Sequence, residues 1–153
     1  MGYDHIAPAP ALLAEGLAAW DQVASAAGKA GLILSVEWKQ ALSRAFYLSP
    51  FVVQTCNRHP RMAVELFDSG DLTAAYSPEG YTRRLKALLA KAPDLDVGQD
   101  AWLEWLQACL RGFRRREMVR IACRDLTGLS DYHGTVADLS ALADTCIQLA
   151  VDR

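Results

Sequence analysis

No alternating run of β-branched residues occurs anywhere in the sequence. That absence excludes a half-buried sheet, whose strands need an apolar period of two. The one candidate strand, residues 32–36, has no second strand to pair with. No stretch of about eighteen apolar residues exists, so nothing reads as membrane-spanning. The first residues lack a basic segment followed by an apolar block, and so do not read as a secretory signal. Cysteine is sparse: Cys56, Cys109, Cys123 and Cys146 are never spaced as C-x-x-C, and no histidine stands at zinc-site spacing from them. They read as reduced, mostly buried thiols of a cytoplasmic protein. The glycine loops that cradle phosphates are missing too, with no G-x-x-x-x-G-K-[ST] and no G-x-G-x-x-G, and there is no H-E-x-x-H.

What is present is apolar and helical. The chain has 153 residues, 52% of them hydrophobic, enough for one domain (1–153) with a sizeable core. A net charge of −2 gives no global pull toward nucleic acid or anionic lipid. The charge is local instead. Between residues 111 and 124, Arg111, Arg114, Arg115, Arg116, Arg120 and Arg124 face a single carboxylate, Glu117. Apolar residues recur through the same stretch at spacings of three and four: Leu106, Leu110, Phe113, Met118, Ile121, Ala122 and Leu126. That period predicts one long helix over 99–127, stopped by Gly128.

The rest of the chain reads as further helices. Residues 11–27 carry Leu12, Leu13, Leu17, Trp20 and Val23 on one side, with Gly28 as the stop. Ser35 can cap a helix over 36–49 with Trp38, Leu42, Ala45 and Phe46 inward. Ser49-Pro50, His59-Pro60 and Ser77-Pro78 are three similar helix starts, because a first helical position has no use for the N–H that proline lacks. They predict helices over 50–58, 60–69 and 78–91. Thr135 and Asp138 form an approximate capping box, and either Ser130 or Thr135 can open a last helix. Its core stripe reads as Leu139, Leu142, Ala143, Cys146, Ile147 and Ala150. The fold class is all-α: an irregular bundle of six to seven helices around one long arginine-rich helix. Part of the 99–127 or the 135–153 helix is expected to leave an apolar edge uncovered.

Catalytic sets are scarce. Asp94 and Asp96 form a D-x-D pair, which on a strand could share a divalent ion, but Pro93 and Gly98 make this a solvated loop. His59 has no partner within reach to make it a general base, and reads as a hydrogen-bonded structural residue. His133, between Tyr132 and Gly134, reads as an exposed turn residue. The arginines carry the one functional reading. Guanidinium binds phosphate or carboxylate as a rigid fork and stays charged at physiological pH. Arg116, Arg120 and Arg124 lie along one face, with Arg111, Arg114 and Arg115 around it. These groups either contact a phosphate or a partner, or form a solvated face on which Glu117 pairs with Arg120. Without interleaved aromatics, single-stranded nucleic acid is not the partner expected.

Three passages carry a resemblance. They are RGFRRREMVRIACRDLTGL, the later TVADLSALADTCIQLA, and the earlier ALSRAFYLSPFVVQTCNRHPRMAVELFDSGDL. Together they resemble the bifunctional glutamine synthetase adenylyltransferase/adenylyl-removing enzymes over residues 40–151. The resemblance implies two nucleotidyltransferase-like halves, one attaching AMP to glutamine synthetase and one removing it, under PII-type signal proteins. It implies magnesium and ATP or ADP for the larger enzyme and none in this chain. The matched passages look like the helical lead-in to the adenylyl-removing half, ahead of a strand bearing the metal-binding D-x-D. No such strand follows by Arg153, so the implied state of this chain alone is inert. Cys123 stands where the family is expected to have a large aromatic. Arg114, Arg115, Arg116, Glu117 and Arg120 match the family's run, and Arg116 or Arg120 is expected to contact phosphate or partner in the larger enzyme. The alternative is a stand-alone helical module that binds an acidic or phosphorylated partner through the arginine face.

Overall fold

The computed structural model describes residues 10–92 and 99–151. Among them are seven α-helices, one short 3₁₀ turn at Val36–Trp38 and no strand, an all-α fold. The helices are α1 (Pro10–Lys29), α2 (Lys39–Leu48), α3 (Pro50–Arg58), α4 (Pro60–Asp68), α5 (Pro78–Leu89), α6 (Gln99–Thr127) and α7 (Tyr132–Val151). The three proline starts fall at the first helical turn of α3, α4 and α5. Ser49 caps α3 by accepting from the Val52 N–H at 3.3 Å.

Several helix boundaries differ from the sequence reading: 36–38 is a 3₁₀ turn ahead of α2, α5 stops at Leu89, and the end of α1 and the start of α7 both move. α1 runs through Gly28 and stops at Gly31, whose φ of 72° is the left-handed value that closes a helix. The Leu32 N–H reaches back to the Ala27 carbonyl at 2.9 Å, and the Gly31 N–H to that of Gly28 at 3.0 Å. That pair of bonds satisfies the last carbonyls, which Gly28 as a terminus would have left open. α7 begins before Thr135. Its cap is Asp131, whose carboxylate accepts from the Gly134 N–H at 2.7 Å. Thr135 instead donates to Asp125 of α6 at 2.9 Å, and His133 lies in the first turn of α7.

Two apolar clusters share α6. In the first, α1 to α4 meet around Trp20, Phe46 and Phe67, whose ring centroids lie 5.1, 5.5 and 6.3 Å apart. Each large side chain buried there stabilises the fold by about 2–3 kcal/mol. Val119 and Cys123 bring α6 into it. The second cluster joins Tyr81 and Leu85 of α5, Phe113 and Ile121 of α6, and Leu142 of α7. α6 therefore buries apolar residues on two sides rather than one, and its arginine row runs between them.

α7 meets the bundle through Asp138, Leu142 and Thr145, with Cys146 and Leu149 packed beside them, so only Leu142 and Cys146 of the stripe read from the sequence face inward. Leu139 and Ile147 remain exposed, with Val136 and Val151 beside them. The polar edge turns inward because it has partners: Asp138 faces Arg120 and Arg124, and the Thr145 hydroxyl lies 3.3 Å from that of Thr82. No helix among the described residues is long and apolar enough to cross a membrane.

Candidate functional site

The spacing of four that aligns Arg116, Arg120 and Arg124 aims them at one target, the irregular segment 69–76 between α4 and α5. Gly70, with φ 77°, turns the chain there. A segment without secondary structure leaves carbonyls that need donors. Arginine, with five N–H groups in a fixed fork, supplies several at once. Arg120 Nε donates to the Asp71 carbonyl at 2.9 Å, and its two terminal nitrogens donate to the Tyr81 hydroxyl at 3.1 Å and to the Ala74 carbonyl. Its guanidinium carbon also sits 3.5 Å from the Tyr76 ring centroid. Arg124 donates to the Leu72 and Leu129 carbonyls. Arg116 reaches the Asp71 carboxylate and Ser69, and Arg84 of α5 takes the other Asp71 oxygen.

This clamp is dry. Arg120 and Glu117 are fully buried, and Arg124 and Asp71 nearly so. Glu117 accepts from Arg116 and lies 3.9 Å from Arg120, so the pair read from the sequence exists, but in the interior and not on a solvated face. Burial holds the Glu117 carboxyl above its usual range, against the pull of Arg116 and Arg120. Burial would raise Asp71 as well, but hydrogen bonds from Arg116 and Ser69 and the charges of Arg116 and Arg84 bring it below the usual range. Tyr76 is pushed up to about 12, by burial first and then by Glu117.

A second feature lies between α3, α6 and α7. It is an open cleft of about 510 Å³, with Arg58, Arg111, Arg114 and Arg115 on its walls. Leu110, Met118 and Cys146 form its apolar floor, and Phe51, Thr55 and His59 complete the lining. No carboxylate lines it. His59 is held below the usual histidine range by burial, then by Arg115 and Arg58.

The sequence-derived arginine set thus divides in space. Arg114 and Arg115 open onto the cleft, while Arg116, Arg120 and Arg124 turn inward onto 69–76. Asp71 and Tyr76 complete the clamp without having been singled out, and Asp138, read from the sequence as part of a capping box, faces Arg120 and Arg124 instead. Asp71 stood in a presumed loop, and only a carboxylate kept inside an apolar helix pattern, such as Asp138, gives a faint signal in sequence. Asp94 and Asp96 lie outside the described residues. Among the described residues no three His, Cys, Asp or Glu side chains converge as a metal site, and Asp71 and Glu117 are held by arginines. They do not fit the magnesium that the resemblance implies for the larger enzyme.

The described residues form an all-α bundle with a buried arginine clamp and no sheet, which defines the class as a helical domain. Its family follows from sequence comparison: the pattern of the glutamate-ammonia ligase adenylyltransferases matches residues 39–153, and the chain belongs to that family. Relatives described as bifunctional glutamine synthetase adenylyltransferase/adenylyl-removing enzymes include one from Shewanella loihica, 35% identical over 133 residues, covering 87% of this chain and 13% of the relative. The corresponding enzyme of Nitrosococcus oceani is 36% identical over 103 residues, 67% of this chain and 10% of the relative. That of Pseudomonas aeruginosa is 38% identical over 104 residues, 68% and 10%. The aligned part of the chain thus spans 10–13% of the length of these relatives. No solved structure matches it.

Proposed function

We propose that residues 1–153 are a helical part of an enzyme that adenylylates and deadenylylates glutamine synthetase, the lead-in to its adenylyl-removing half. The observation that carries this reading is the family match over 39–153 together with a fold that contains packing helices and no sheet among its described residues. The 153 residues by themselves are inert in this reading. Magnesium, ATP or ADP, glutamine synthetase and a PII-type signal protein are engaged by the larger, cytoplasmic enzyme. Arg116, Arg120 and Arg124 brace 69–76 and so fix how α5 meets α6. Arg114 and Arg115 are the members of the set placed to contact phosphate or a partner.

The test compares the 153-residue chain with a longer product that continues into the D-x-D-bearing strand implied by the family resemblance, using adenylylated glutamine synthetase as substrate. Only the longer protein is expected to release AMP. Release by the 153 residues alone would falsify the reading.

A second reading, a module that binds an acidic or phosphorylated partner, is favoured by the cleft with its four arginines and no carboxylate. A reading frame that stops at Arg153 would favour it over the first.

A further inference from the structure

Among the described residues, two hollows gather several cations, and they differ in one respect. The hollow at the clamp holds Arg84, Lys91 and Arg116, but Glu65, Asp71 and Glu117 line it as well. Its cations are answered from within. The cleft between α3, α6 and α7 has four arginines and no acid. Among the described residues none of Arg58, Arg111, Arg114 and Arg115 has an ion-pair partner. A protein of net charge −2 has thus left four guanidinium groups unanswered around one concavity. Like charges held together at that density repel, and a bound anion relieves the repulsion.

The floor narrows the class of anion. Leu110 and Met118 are apolar and half-buried, and methionine adapts its shape to what packs on it. The wall groups are forks that suit carboxylates as well as phosphates, and it is the apolar floor that favours an occupant with apolar side chains. Apart from Thr55 and His59, the lining offers no neutral polar side chain that could read the edge of a base. The opening is wide, as a segment of chain requires, rather than closed around a small molecule.

We infer that this cleft binds an acidic amphipathic helix of a partner protein, with apolar side chains on Leu110 and Met118 and carboxylates on Arg58, Arg111, Arg114 and Arg115. This rests on the second reading above, the cleft as a partner site, and names the chemistry of its occupant; it holds whether or not the 153 residues act only within a larger enzyme.

The probe is a labelled synthetic helical peptide with one leucine face edged by glutamates, titrated into the full chain by fluorescence anisotropy. Saturable binding is expected, weakening as salt screens the contacts. Arg114→Glu/Arg115→Glu should weaken it at least ~tenfold while helical circular dichroism stays unchanged. The same variant should gain affinity for a peptide whose glutamates are replaced by lysines, a reversal that loss of folding could not give. Absence of saturable binding, or binding indifferent to the charge reversal, overturns the proposal. So does displacement of the peptide by equimolar ATP or inorganic phosphate, which would make this a phosphate site.

Discussion

The guanidinium of Arg120, itself fully buried, lies 3.5 Å from the centre of the half-buried Tyr76 ring. The same group bonds the Asp71 and Ala74 carbonyls and the Tyr81 hydroxyl. One side chain of α6 therefore joins the 69–76 segment to α5. Removing it leaves the buried Asp71 carbonyl and Tyr81 hydroxyl without that donor, and Glu117 and Asp138 short of a counter-charge. Arg120→Met is expected to cost about 3–5 kcal/mol, the range for breaking a buried charged network. Arg120→Lys should recover little, because one ammonium cannot reproduce a fork that bonds in three directions. Urea unfolding followed by circular dichroism measures both. A loss under about 1 kcal/mol for Arg120→Met would contradict the clamp.

Asp71 gives the clamp a pH dependence. Its folded pKa is depressed, so the stability it contributes is complete above the unfolded carboxylate range and is lost as pH falls through the lower folded value. Glu117 acts in the opposite sense. Its raised pKa means that ionising it in the fold costs stability, a cost relieved on acidification. Asp71→Asn should therefore be clearly less stable than wild type at neutral pH, by about 1–3 kcal/mol. The two urea midpoints should approach each other as the pH drops through the acid range. A gap that stays constant from neutral to strongly acid pH would show that the Asp71 charge plays no part.

Two glycines of α1 should answer the same substitution with opposite signs. A Cβ on Gly16 would stand 2.0 Å from the Ser43 carbonyl oxygen of α2, a backbone atom that cannot swing aside. Gly16→Ala should force the α1–α2 crossing apart and cost about 1–3 kcal/mol. A Cβ on Gly28 would meet nothing within 4 Å, and its position is helical. Gly28→Ala should stabilise by about 0.5–1 kcal/mol, through helix propensity and a less flexible unfolded chain. Melting temperatures moving in the same direction would contradict the boundary of α1 described above.

The four thiols should fall into two kinetic classes with a disulfide reagent. Cys56 and Cys123 are buried, and burial pushes Cys56 up to about 12 and Cys123 well above the usual thiol range. Cys109 and Cys146 are partly exposed. Native protein should therefore release two equivalents quickly, and denatured protein all four. Rapid reaction of all four in the native state would mean that the first core opens readily.

The helices were largely legible because proline, glycine and period are local signals. α3 and α6 fall at the boundaries their sequences suggest, since Pro50 and Gly128 act within a turn of themselves. The end of α1 was missed because Gly28 and Gly31 look alike until one adopts positive φ. The inward face of α7 is only half legible, Leu142 and Cys146 of its stripe turning inward and the rest not, for a different reason. An apolar stripe is only a preference for burial, and here Asp138 and Thr145 outbid it through partners on other helices. The division of the arginines was not legible at all. Whether a guanidinium meets solvent or a carbonyl depends on what the remote chain places opposite it, and the 69–76 segment carries no pattern that announces itself.

The segment 69–76 has a consequence for how this protein is made. Its order is borrowed from donors that stand 45 to 52 residues further along the chain. On the ribosome, Asp71, Leu72 and Ala74 emerge well before Arg116, Arg120 and Arg124. Until those three appear, the connection between the fourth and fifth helices is held only by Arg84 on Asp71 and by turn bonds within the segment. Synthesis halted ahead of Arg116 should therefore yield a nascent chain open to proteases at this one place, and completion of the long helix should close it.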